Sequence, residues 1–162
     1  MLYRSGDNLE LGAINYINSA KEVTLFSAYI KLTQLKSLNA SKKIKQIVVQ
    51  WKIKDLCLGG SDIELYDYCL KHKIALYRNT RIHLKSIWDN HTSLFFGSAN
   101  VSGRGIGEKG EYNFELNGLN EELSFDDRTY LNKIILDSQY VDKKLYDEIK
   151  GGGDNNFTNH FT

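Results

Sequence analysis

The chain reads as an α/β domain, with a mixed, mostly parallel central sheet flanked by helices on both faces. Three observations give this reading. The first half alternates amphipathic stretches with short apolar runs, the pattern of strands joined by helical crossovers. Those runs are continuous in β-branched and aromatic residues, as strands covered on both faces are. The second half changes style, with two apolar runs joined by a polar turn, as in a hairpin.

Each element has its own warrant. Apolar residues at 9, 11, 13, 14 and 17 fall at helical spacing, and Asp7 or Asn8 can cap that helix. Val23–Ile30 is a buried strand, followed by one or two helical turns over Thr33–Leu38. Lys45–Trp51, with Ile47, Val48 and Val49 in succession, is a central strand. Ser61 and Asp62 open a helix running to about His72, with Glu64 in the capping-box position. Ile74–Tyr77 is a third strand. Ile82–Trp88 and Ser93–Phe96 form a hairpin through Asp89-Asn90-His91-Thr92, and Tyr112–Leu116 is a further strand. Apolar positions 131, 134, 135, 141, 145 and 149 form one helical stripe within Phe125–Lys150, with Asp137-Ser138 as its one breaking point. Residues 1–150 thus form one domain, and 151–162, rich in Gly and Asn, read as a flexible tail or a linker.

Composition narrows the function classes. No apolar run approaches the ~20 residues that span a bilayer, and no basic-then-apolar leader opens the sequence. A cytoplasmic protein with no membrane partner is expected. Cys57 and Cys69 are then free thiols rather than a disulfide. The four histidines have no HxxxH or CxxC companion, so neither a metal nor another cofactor is expected. Charge is uneven: residues 1–85 hold fourteen Lys and Arg against seven Asp and Glu, and residues 86–162 hold seven against thirteen. A basic half suits a polyanion, although Lys42-Lys43-Ile44-Lys45 reads equally well as a solvated face.

The chemistry concentrates in two short motifs. On a strand, residues two apart share a face, so His83 and Lys85 project together. Gly97-Ser98-Ala99-Asn100 follows after the hairpin and brings a hydroxyl and an amide. An imidazole beside an ammonium, with two neutral donors, suits a phosphate. Neutral His83 can attack phosphorus and later leave. Lys85, Asn100 and Ser98 then meet the non-bridging oxygens. Glu115 is placed to accept from the second ring nitrogen and fix the tautomer. Arg104 and Lys109, in a Gly-rich loop, are candidate contacts to a nucleic-acid backbone. Plainer roles exist for each: Ser98 as a turn former, Asn100 as a loop cap, Glu115 as a lysine partner. His91 reads as an exposed turn residue, and His72 as a helix C-terminal cation.

His83-Leu84-Lys85 and Gly97-Ser98-Ala99-Asn100, with Asn113-Phe114-Glu115 beyond, resemble the HxK–GSxN signature and the following NxE element of the phospholipase D superfamily. Ser98–Gly105 is similar to the loop of its nuclease-like branches. Leu25–Ile30 resembles the first core strand. Trp51 with Gly59–Glu64 looks like the strand-to-helix link of the branch that includes metal-independent restriction endonucleases. The resemblance covers roughly residues 9 to 150. One departure stands out: where the family carries an Asp five residues after the Lys, this chain has Asn90, with Asp89 one residue early. Both suit a turn.

The resemblance implies a phospholipase D-like fold and a metal-independent phosphodiesterase, with DNA as the favoured substrate. The chemistry needs two histidines, and one signature copy supplies one. A twofold homodimer with a merged site follows. No base-reading module is present in the sequence, so any sequence preference belongs to a separate domain or subunit. The alternatives are a lipid-directed phosphodiesterase and a non-catalytic domain for dimerisation or nucleic-acid binding.

Overall fold

A computed structural model describes residues 1–107 and 110–160. In chain order the elements are β1 (Leu2–Arg4), α1 (Leu9–Ser19), β2 (Val23–Ser27), α2 (Leu32–Leu38), β3 (Ile44–Val49), α3 (Ile53–Cys57), α4 (Leu65–Lys71), β4 (Ala75–Arg78), β5 (Ser86–Trp88), β6 (Leu94–Gly97), β7 (Leu116–Asn120), α5 (Phe125–Leu136), β8 (Gln139–Tyr140) and α6 (Lys143–His160). The eight strands make one sheet in the order β1-β7-β6-β5-β2-β3-β4-β8.

The mixed α/β class and the two helical layers are as the sequence predicts, but the sheet is mostly antiparallel. Between named strands, parallel pairing is confined to β2–β3 and β3–β4, where helices make the crossovers, and an isolated parallel bridge joins Ile30 to Val101. The β5–β6 hairpin docks on the free side of β2, pairing Phe26 with Ser86 and Thr24 with Trp88. β7 and then β1 extend that antiparallel wing, and β8 adds an antiparallel strand beyond β4. β1 and β8 are too short to leave a period-2 signal, and α3 too short for a helical one.

Alternation along β2 and β3 divides the core. Leu25, Ile47 and Val49 join Leu9, Ala13 and Ile17 of α1, Leu35 of α2 and Leu65 of α4 on one face. Phe26 and Val48 join Ile82, Trp88, Leu123 and Leu131 on the other, under α5. Ser124 caps α5 in a capping box with Asp127. The helix expected from Ser61 begins later, with Glu64 as its N-cap and no side-chain cap bond. Ser61 and Asp62 serve the neighbouring loop instead, accepting from the backbone N–H groups of Ile30 and Leu32. The final helical stripe breaks at 137–138 into α5 and α6, as Asp137-Ser138 foretells. Residues 151–160, read from composition as a loose tail, belong to α6. Packing against the domain explains the difference: Tyr146 stacks on Tyr66 at 4.1 Å, Ile149 is buried, and a Cβ on Gly152 would lie 3.0 Å from Ile53. The glycine lets α6 approach α3 closely.

The strand expected at 112–116 lies four residues later. Leu116-Asn117-Gly118-Leu119-Asn120 has low β-propensity, and its register is imposed by pairing with β6. The two backbones are closest at Gly97, where an added Cβ would fall 2.2 Å from the Leu116 carbonyl and the Asn117 Oδ1. Gly97→Ala should therefore lower stability by about 2 kcal/mol or more. Urea unfolding followed by circular dichroism checks this, and a midpoint equal to wild type would contradict it.

Candidate active site

His83 and Lys85 precede β5 on an extended segment without ladder pairing, although the sequence predicts a strand from Ile82. Side-chain bonds and burial hold it instead. Ile82 is anchored in the core, its N–H donates to the Asn79 carbonyl, and its own carbonyl accepts from Gln50 Nε2 at 2.9 Å. The Lys85 carbonyl accepts from Gly97 N, which ties the segment to the end of β6. With Ile82 turned inward, His83 is exposed, and Lys85 Nζ sits 2.8 Å from His83 Nδ1. An ammonium has no lone pair, so Lys85 donates and Nδ1 accepts. That contact places the proton of neutral His83 on Nε2.

Burial holds the Lys85 ammonium below the ordinary lysine range, and Glu115 partly restores it. The Glu115 carboxylate thus acts electrostatically on Lys85, while the Nδ1 contact belongs to Lys85. Glu115 is positioned through its backbone. Its N–H donates to Ser5 Oγ at 2.7 Å, and its carbonyl accepts from Ser5 N. Nothing in the sequence around Ser5 marks it as the residue that seats Glu115.

The GSxN loop is fixed in the same manner. Ser98 Oγ accepts from Leu116 N at 3.0 Å, clasping the loop to β7. Asn100 Oδ1 accepts from Tyr29 N at 3.2 Å, just past the end of β2. With its oxygen so occupied, the Asn100 NH₂ remains to donate to a ligand. Ser27 Oγ donates to the Tyr29 carbonyl and accepts from Val101 N, holding the two loops together. Gly105 is required here, because a Cβ would lie 2.3 Å from the Asn100 carbonyl. Ser27, Tyr29 and Asn117 escape detection from sequence because they act through bonds to residues far away in the chain: Ser27 Oγ and Asn117 Oδ1 accept from Val101 N and Ala99 N, and Tyr29 offers only its backbone N–H. Ser98 bonds to Leu116, and Asn100 to Tyr29 and Ser27, rather than to His83 or Lys85.

Asn100 also lines a cavity of about 870 Å³ with Tyr29, Lys31, Ser102, Arg104 and Asn113. Arg104 is exposed and makes a loose 3.8 Å pair with Glu111. Lys31 is tied to Asp62 at 2.6 Å. Lys109 lies outside the described residues. The Asp89-Asn90 departure is a turn: Asp89 Oδ1 accepts from His91 N and Ser93 N, and Asn90 takes a φ of 63°. Among the described residues no three His, Cys, Asp or Glu side chains gather into a group that could hold a metal ion. No helix among them is long and apolar enough to cross a membrane.

No protein-family model matches the sequence, and no curated protein sequence does. Solved structures match in shape at low identity. The phospholipase D family member Nuc from Salmonella typhimurium aligns with a TM-score of 0.66 and 18% identity, over 87% of this chain and 96% of its own. The fold is that of the phospholipase D superfamily. A phosphatidylserine synthase from Haemophilus influenzae Rd KW20 aligns with a TM-score of 0.66 and 13% identity. That match covers 97% of this chain but 43% of the synthase. TrmBL2, an archaeal chromatin protein, aligns with a TM-score of 0.55 and 15% identity, over 87% of this chain and 54% of its own.

The lysine at this site gives a direct test. Lys85 should titrate below a free lysine, since burial penalises its charged form. Glu115→Gln should lower that midpoint further, because the carboxylate that favours the ammonium is gone. NMR titration of ¹³Cε-labelled lysines reads both, and a Lys85 midpoint unmoved by Glu115→Gln would contradict the described pairing.

Proposed function

We propose that the protein is a cytoplasmic, metal-independent phosphodiesterase that cleaves DNA through a phosphohistidine on His83, within a homodimer. The observation that carries this reading is the His83–Lys85 contact at 2.8 Å with Glu115 acting on the same lysine. An imidazole and a cation held together on an exposed segment, with the Asn100 NH₂ on the adjoining loop as a further donor, meet the needs of nucleophilic displacement at phosphorus.

The steps follow from the groups present. Lys85 leaves Nδ1 for the non-bridging oxygens, where its charge offsets the charge of the crowded phosphorus. The ring proton moves to Nδ1, where a carboxylate, Glu115 of one or the other subunit, accepts it in a hydrogen bond. Nε2 then attacks phosphorus, an N–P bond forms, and the bond to the leaving oxygen breaks. His83 of the partner subunit, entering as imidazolium, gives that oxygen its proton. The same group then takes a proton from water as the water oxygen attacks phosphorus. The N–P bond breaks, and both imidazoles return to their starting states.

An open apolar strip supports the dimer. Leu2, Phe96 and Leu116 share one face of β1, β6 and β7, and are 60%, 43% and 49% exposed. A second copy would cover this strip beside the catalytic edge. DNA is favoured by the resemblance to the restriction-endonuclease branch and by the likeness to a chromatin protein described as having a novel mode of DNA binding. Arg104 stands beside Asn100 as a backbone contact, and a separate domain or subunit supplies any sequence preference. One observation favours a second reading, a lipid-directed phosphodiesterase: a cavity of about 360 Å³ beside Lys85 is lined by Leu84, Leu94, Phe96, Leu123 and Leu131.

Activity on plasmid DNA should be complete in EDTA, and His83→Ala should lower it at least roughly 10³-fold with the fold intact. Dependence on added magnesium, or turnover by His83→Ala, would overturn the mechanism, and cleavage of phosphatidylcholine vesicles in preference to DNA would establish the second reading. In the shared site, a mixed dimer has one His83 and is inactive. Wild type and His83→Ala mixed equally under subunit exchange should retain about a quarter of the activity rather than a half. Retention of half would refute the merged site.

A further inference from the structure

Six lysines, Lys36, Lys42, Lys43, Lys45, Lys71 and Lys73, gather at the end of the sheet remote from His83. β3 and β4 start there, and its six residues place that start roughly 16–20 Å from the end of β3. Lys43 and Lys45 flank the start of β3, and Lys73 comes just before β4. Burial, with Lys42, Lys71 and Lys36 after it, holds the His72 imidazole below its usual range, so these three lysines stand around it.

Between this edge and α5 is a polar cavity of about 420 Å³, lined by Lys45, Lys73, Arg128, Gln46, Asn90 and Asn132, with Trp88 and Glu22 also at its walls. Arg128 Nε is buried and has no hydrogen-bond partner among the described residues. A buried donor left unpaired is costly, and a guanidinium in a cavity with two ammonium groups calls for an anion. Backbone conformation is a second, independent sign. Lys42 and Lys73 adopt φ of 60° and 56°, the left-handed region that glycine or asparagine occupies with least strain. Lysine at both turns puts charge where stability would choose another residue.

We propose that this cavity is a second phosphate-binding site, remote from the catalytic edge, and that it takes a backbone phosphate of bound nucleic acid. Lys45, Lys73 and Arg128 hold the phosphate oxygens, and Gln46 and Asn132 supply neutral donors. Lys43, Lys42 and Lys71 carry the positive surface onward to neighbouring phosphates. Glu22 opposes the anion and limits its affinity. This rests on the proposed function only in naming nucleic acid as the source of the phosphate.

The test compares binding of a short labelled DNA duplex, by fluorescence anisotropy across a salt series, with turnover of bis(p-nitrophenyl) phosphate at the catalytic edge. Binding is read in a His83→Ala background, so that the duplex stays intact. Lys45→Gln with Lys73→Asn and Arg128→Gln should weaken DNA binding at least about tenfold and reduce the salt slope by roughly 1, the value for one phosphate. Diester turnover by the same triple variant with His83 retained should equal wild type. Glu22→Gln should tighten DNA binding. Lys73→Asn alone should raise Tm while weakening DNA binding, which a purely structural lysine would not do. If Arg128→Gln does not fold, Lys45→Gln with Lys73→Asn carries the comparison, with a slope change of up to roughly 1. Unchanged DNA affinity and salt slope overturn the proposal. So does quenching of Trp88 by inorganic phosphate without any change in DNA affinity, which would assign the cavity to a free phosphorylated solute. An inactive wild type on the diester would refute the proposed function, while the DNA-binding comparison would still decide the cavity.

Discussion

The pairing of β5 against β2 is the constraint on which the rest of this structure depends. β2 has β3 on one side, in parallel, and would be an edge strand without the hairpin. The antiparallel register of Phe26 with Ser86 brings the segment just before β5 beside the segment just after β2. His83 and Lys85 are on the first, and Ser27 and Tyr29 on the second. Ser27 and Tyr29 in turn hold Val101 and Asn100, so the Gly-Ser-x-Asn loop is seated at the end of β2, the end at which the His83–Lys85 segment enters β5. Glycine at 97 and 105 is part of the same constraint, since a Cβ at either would strike a carbonyl of the assembly.

Much of this was legible in the sequence, for definable reasons. The helix and strand alternation of the first half follows from apolar periodicity, and β3 is evident from Ile47, Val48 and Val49. The site residues stand out by chemistry and spacing. The sheet direction did not follow, because local pattern does not say on which side of β2 a hairpin will dock. β7 was displaced because its Asn and Gly residues lack strand propensity, and tertiary pairing overrode it. The reach of α6 past Lys150 was hidden because Gly151–Gly153 reads as a break, whereas packing on α3 and α4 sustains the helix.

The contact at His83 was legible in its members but not in its arrangement. Spacing gives a histidine and a lysine on one face, and the chemistry of the residues gives Glu115 to the second ring nitrogen. The structure puts Lys85 at Nδ1, with Glu115 acting on the lysine. In the proposed mechanism this arrangement would couple substrate binding to activation: an entering phosphate would draw Lys85 away and leave Nδ1 to carry the proton that Nε2 must lose. The ammonium, held below its ordinary proton affinity by burial, would gain a favourable partner in that phosphate. The far edge, where Lys45, Lys73 and Arg128 converge without such a nucleophile, offers charge alone.

Covalent phosphohistidine on His83 is the central claim, and its capture tests it most directly. Substrate turned over in EDTA, quenched during steady state, digested with trypsin at neutral to alkaline pH and read by mass spectrometry should show a phosphoryl-linked adduct on the Ile82–Lys85 peptide. The adduct should be acid-labile and absent from His83→Ala. Turnover with no adduct on that peptide, or with the adduct on any other residue, would contradict the account.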